Sequence, residues 1–167
     1  GTFHPLGRDV GRKEMDAAYW RAADWIEVLL EQVVRNGAER SRRVEDLLHH
    51  LRTTGGWKSG VLVLPEHAPF VEALSRLHET HPADVESVRM VVYRSNCGQY
   101  RTRTYAFGHR CGPEMPESFG ASDPDPRVLQ EATGIGGVLY LTRDRRVISS
   151  ESLKAAVEVA CKALSLM

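Results

Sequence analysis

Residues 125–164 constrain the fold of this chain most, because helix, glycine, strand, turn and helix signals follow one another there without a gap. Asp125 suits an N-cap, and Pro126 suits the first helical position, where its missing N–H is of no consequence. Val128, Leu129 and Ala132 supply an apolar stripe that stops at Gly134. Gly136 and Gly137 permit a close turn into a buried strand of Val138, Leu139, Tyr140 and Leu141, and Arg143, Asp144 and Arg145 form a polar reversal into Val147 and Ile148. Ser149 or Ser150 is placed to cap a last helix, whose apolar positions Leu153, Ala156, Val157, Ala160 and Leu164 recur at helical spacing. Two strands between two helices, each with one apolar face, require a sheet with helices packed on it.

The rest of the chain extends that pattern. Residues 14–36 read as a long amphipathic helix carrying Met15, Ala18, Ala22, Trp25, Ile26, Leu29 and Val33 on one side, with Asn36 and Gly37 as the stop. A second helix, antiparallel to the first across a short loop, shows Val44, Leu47, Leu48 and Leu51 and ends at Gly55 and Gly56. Val61, Leu62, Val63 and Leu64 form a strand closed by Pro65, and Phe70, Val71, Leu74 and Leu77 a short helix. Residues 88–93 and 100–107 make a hairpin turning at Ser95, Asn96, Cys97 and Gly98, and residues 108–126, rich in Gly and Pro, read as a surface or site loop. The predicted fold is α/β: two N-terminal helices, then a mixed sheet of about four or five strands with packing helices. The helical pair covers residues 1–57 and the α/β domain residues 58–167.

At 167 residues and 42% apolar content the chain can bury a sizeable core. It has no apolar run of membrane-spanning length, no signal-peptide pattern and no repeat, so a membrane role is not expected. Cys97, Cys111 and Cys161 are an odd set without a close CxxC pair, which points to an intracellular, reducing compartment: cytosol, nucleus or mitochondrial matrix. Net charge is zero, but residues 87–113 hold Arg89, Arg94, Arg101, Arg103 and Arg110 and no acid, a local +5; the remaining 17 basic and 22 acidic residues leave −5 elsewhere.

Candidate chemistry is sparse. His78 with His81, or Cys97 with His109 and Cys111, lacks the four ligands of a structural zinc site, so packing or surface roles are expected. Asp46, His49 and His50 lie on a helix, where Asp46 and His50 share a face and His49 does not, and read as solvated residues. No Gly-x-Ser-x-Gly elbow, P-loop or HExxH is present, and no catalytic residue or resident metal is expected. The basic hairpin is the better candidate: Arg101, Arg103 and Tyr105 alternate on one sheet face, an arrangement suited to phosphate contacts and base stacking.

Quoted as it stands, EATGIGGVLYLTRDRRVISSESLKAAVEVACKAL resembles the C-terminal end of the melanocyte-proliferating-gene exonuclease family, a branch of the DHH phosphoesterases. SVRMVVYRSNCGQYRTRTYAF is similar to that family's hairpin with a Gly-Gln-aromatic-Arg turn, MPESF to its Pro-x-Ser-Phe segment, and MDAAYWRAADWIEVLLEQVV to the long helix after its catalytic domain. The resemblance implies that the chain is the substrate-binding part of an RNA 3′-5′ exonuclease, with Mn²⁺ or Mg²⁺ held by an N-terminal domain outside this chain. The partners it implies are single-stranded RNA and that domain or other subunits. A diverged, non-catalytic binding or assembly module is the alternative. Family members carry a Gly-Phe-Ile-Gly-Gly stretch before the final helix, which resembles an anion-binding loop. Here Arg145, Arg146, Val147, Ile148, Ser149 and Ser150 replace it, leaving two guanidinium groups and two hydroxyls as phosphate ligands in place of the glycine backbone. Gly1, Thr2, Phe3 and His4 match the opening of the family's metal motif, but Pro5, Leu6 and Gly7 follow instead of acidic ligands, and the match reads as coincidence.

Overall fold

The computed structural model describes residues 11–55, 57, 59–64 and 66–167; the Gly1 to His4 match lies outside them. The elements run α1 (Arg12–Thr54), β1 (Val61–Val63), α2 (Phe70–His78), α3 (Pro82–Ser87), β2 (Met90–Arg94), β3 (Tyr100–Thr104), a 3₁₀ turn (Glu117–Phe119), α4 (Pro126–Thr133), β4 (Val138–Leu141), β5 (Val147–Ser150) and α5 (Leu153–Leu166). The architecture is α/β with a mixed five-stranded sheet in the order β1-β2-β3-β5-β4. β1 is parallel to β2, and the other neighbours are antiparallel. No helix of the described residues is long and apolar enough to cross a membrane.

The two expected N-terminal helices are one. α1 passes through Asn36 and Gly37 without a break. Glycine in a helix interior costs about 1 kcal/mol relative to alanine, and it stops a helix only where the chain turns left-handed after it. Here helix-forming residues continue on both sides. The chain divides into two compact units within α1, after Arg42.

In the unit Arg43–Met167 the sheet separates two cores. On one face Val44, Leu47, Leu48 and Leu51 of α1 pack with Trp57, Leu74 and Leu77 over Leu62, Val91 and Tyr93. On the other, Met90, Val92 and Ile148 are covered by α5, Met115, Phe119 and Leu129. The buried positions of α5 are Ala155, Ala156, Val159, Ala160 and Ala163, rather than the larger Leu153, Val157 and Leu164 of the expected stripe. Small side chains let the helix backbone approach closely enough for Thr102 to donate its hydroxyl to the Ala156 carbonyl at 2.8 Å.

The terminal elements start and stop as their residues dictate. The Asp125 carboxylate accepts from the Arg127 N–H at 3.0 Å, and Gly134 ends α4 in the left-handed region at φ +69°. The cap of α5 differs from expectation. Ser149 and Ser150 stay in β5 because that strand pairs on both sides, and Ser152 caps the helix, accepting from the Ala155 N–H at 3.1 Å.

Candidate functional site

Strand register assembles a row of side chains across one sheet face. Tyr93 stands opposite Arg101, Arg101 opposite Ser149, and Ser149 opposite Tyr140, so the four share a face. The next row is Val91, Arg103 and Val147. At the β2 end both rows are buried, Val91 and Tyr93 packing into the core of the first face. Toward β5 and β4 they open: Arg101 is exposed, Arg103, Val147 and Ser149 are half-buried, and Tyr140 exposes 42% of its surface. Cation, hydroxyl and aromatic ring therefore adjoin on an accessible platform.

Clefts lie at both ends of β3. One, of about 350 Å³, is lined by His67, Tyr93, Ser95, Asn96, Cys97 and Arg101. A neighbour of about 340 Å³ shares His67, Ser95 and Asn96 and adds Arg43, Glu66 and Arg94. At the other end Arg103, Tyr105, His109 and Arg110 border a cleft of about 290 Å³. Arg94 and Arg101 thus border the clefts at one end of β3, and Arg103 and Arg110 the cleft at the other. At the hairpin turn the Cys97 thiol lies 2.9 Å from the Ser95 hydroxyl. That hydrogen bond, then the Gln99 backbone and the charge of Arg101, lowers its pKa below the ordinary thiol value.

The structure distributes the residues expected to contact phosphate unevenly. Arg101, Arg103 and Ser149 come together on the platform. Tyr105 does not join them: it is 8% exposed, its ring meets Phe70 edge-on at 6.0 Å, and burial raises its phenol pKa. Arg145 and Arg146 are turned to a structural task. Arg145 donates to the carbonyls of Met115 and Pro116 at 3.0 and 2.8 Å, and Arg146 to that of Gly112 at 2.8 Å. Both guanidinium groups thereby pin the 108–126 loop. Ser150 is fully buried on the α5 side, its hydroxyl without a partner.

Tyr140 is the residue that sequence reading missed. Residues 138–141 read as a uniformly buried strand, whereas a bulge between Val138 and Tyr140 turns Tyr140 to the open face while Val138 and Leu141 stay buried. The other candidates resolve into packing and surface contacts. His78 stacks on Phe107 at 4.0 Å and meets Glu86 at 2.8 Å, while His81 lies beside Thr80 and edge-on to Trp57. The three cysteines are free and exposed. Asp46 and His50 border a separate cleft with Arg43 and Glu66.

Comparison with protein-family models, with curated proteins and with solved structures finds no match.

Proposed function

We propose that this chain is the C-terminal, non-catalytic substrate-binding part of an exonuclease-like DHH-family phosphoesterase, and that its ligand is single-stranded RNA. The observation that carries the reading is the row Arg101, Ser149, Tyr140 beside Arg103, on the part of the sheet that its helices leave open. Single-stranded nucleic acid is held by a basic track along its backbone and by rings under its bases. β3 supplies the first, with Arg101 and Arg103 two residues apart, roughly 7 Å along the strand. Tyr140 supplies the second. Ser149 adds a hydroxyl between them, able to donate to a phosphate or accept from a 2′-hydroxyl.

Among the described residues no three His, Cys, Asp or Glu side chains converge. They offer no donor set for a Mn²⁺ or Mg²⁺ pair, and in this reading the metals belong to a catalytic domain beyond these residues. Titration of labelled single-stranded RNA into the wild type and into an Arg101→Ala, Arg103→Ala double variant tests the proposal. The wild type binds with an affinity that falls as salt rises, and the variant loses most of it; equal affinities would remove the platform from the binding site.

The second reading, a diverged assembly module in a larger complex, draws on Arg145 and Arg146. Their guanidinium groups hold loop carbonyls where the resembling family has an anion loop. A chain that binds neither RNA nor mononucleotides, yet folds normally, favours it.

A further inference from the structure

We propose that α1 pairs, through residues 15–33, with the same helix of a second copy of this chain, the two running antiparallel. The starting observation is exposure. Every buried side chain of α1 lies from Val44 onward. Before that point Met15, Tyr19, Trp20, Trp25, Ile26, Val28, Leu29, Leu30, Val33 and Val34 all stand in solvent, Trp25 69% and Tyr19 67% exposed. Ten large apolar side chains within twenty consecutive helical residues far exceed the scattered single exposures of an ordinary surface.

The spacing selects a helical occupant. Met15, Tyr19, Ala22, Ile26, Leu29 and Val33 are separated alternately by four and three residues, the repeat that keeps one seam facing a partner helix. The area is sufficient: on the order of 1,000 Å² of side-chain surface is offered per copy, against roughly 800 Å² per partner in a standard stable interface.

Size selects a second copy and its direction. Set antiparallel about residue 24, the seam places Met15 against Val33 of the second copy, Tyr19 against Leu29, and Ala22 against Ile26. The alanine-rich part, Ala18, Ala22 and Ala23, then faces the bulky part, Ile26, Leu29 and Leu30, and each copy fills the other. Trp25 lies beside the two-fold axis and meets its own counterpart. A parallel pair instead sets Ala22 on Ala22.

Sedimentation equilibrium of the full chain over a dilution series tests this. The expected mass is twice the 18.7 kDa of one chain. An Ile26→Asp, Leu29→Asp variant is expected at half that mass, with the circular dichroism and melting of Arg43–Met167 retained, since the altered side chains are exposed. A Met15→Cys, Val33→Cys variant is expected to cross-link position 15 of one copy to position 33 of the other on oxidation, read by peptide mapping. A wild type of 18.7 kDa at every concentration assigns the face to a different partner and overturns the proposal. A double-aspartate variant that remains a dimer also overturns it, and cross-links of 15 to 15 and 33 to 33 overturn the antiparallel register.

Discussion

Thr102 donates its hydroxyl to the carbonyl of Ala156, joining the middle of β3 to the first turns of α5 across 2.8 Å with no solvent access to the threonine. Among the buried hydroxyls of this largely apolar layer, the one that is bonded to the helix fixes where along the strand the helix sits, because sliding would unpair it. Thr102→Val keeps the shape and removes the donor. Urea unfolding is expected to show a loss of about 1 kcal/mol, the usual net contribution of such a bond. An unchanged midpoint would mean that the helix is positioned by apolar packing alone.

Met90 tests the core on the same face. It is fully buried beneath α5, and Met90→Asp introduces a charge with no partner there. The expected cost is about 3–5 kcal/mol or complete unfolding, read as loss of the thermal transition. A melt like that of the wild type would place this side chain on the surface.

For the platform, Tyr140→Ala is expected to reduce single-stranded RNA affinity by about 1–3 kcal/mol, the value of one base stacked on a ring. Tyr105→Phe should leave affinity unchanged, since Tyr105 is enclosed and packs on Phe70. The reverse outcome would move the ligand off β4 and toward the far end of β3.

Cys97 gives a pH-dependent signature. Its lowered pKa increases the thiolate fraction at any pH below the ordinary thiol value near 8.5, and alkylation proceeds through the thiolate. Iodoacetamide mapping by mass spectrometry should show Cys97 modified at neutral pH, and more slowly in a Ser95→Ala variant, which loses the largest cause of the shift. Equal rates in the two proteins would remove the hydroxyl as that cause.

The proposed role also implies no metal-dependent hydrolysis by this chain alone. Labelled single-stranded RNA incubated with the pure protein and Mn²⁺ should remain full length. Shortening that chelator abolishes, and that tracks with the protein through purification, would refute the non-catalytic reading.

Local signals made much of the fold legible. The cap at Asp125, the left-handed stop at Gly134 and the hairpin turn ending at Gly98, φ +86°, are each decided by one or two residues and their backbone preferences. Errors arose where distant pairing decides. Nothing local tells Ser149 and Ser150 that β3 and β4 flank them, so they look like caps. The same limit explains the site. Alternation correctly placed Arg101 and Arg103 on one face, but the burial of Tyr105 depends on Phe70, 35 positions earlier in the chain. The exposure of Tyr140 depends on a bulge that shows only in the pairing of β4 with β5. Likewise Arg145 and Arg146 look free in sequence, their partners being carbonyls about 30 residues away.

Those two arginines separate what holds the molecule together from what it would hold. Arg145 and Arg146 brace the 108–126 loop by bonding to uncharged carbonyl oxygens of Gly112, Met115 and Pro116. Dissolved ions attenuate attraction between opposite charges over about 10 Å at 0.1 M, but a guanidinium seated on a neutral oxygen presents little for them to attenuate. Arg101 and Arg103, facing an RNA backbone, would lose grip steadily as ionic strength climbs. One series of rising sodium chloride, followed by melting temperature and RNA affinity together, should therefore leave the brace standing while the ligand comes off.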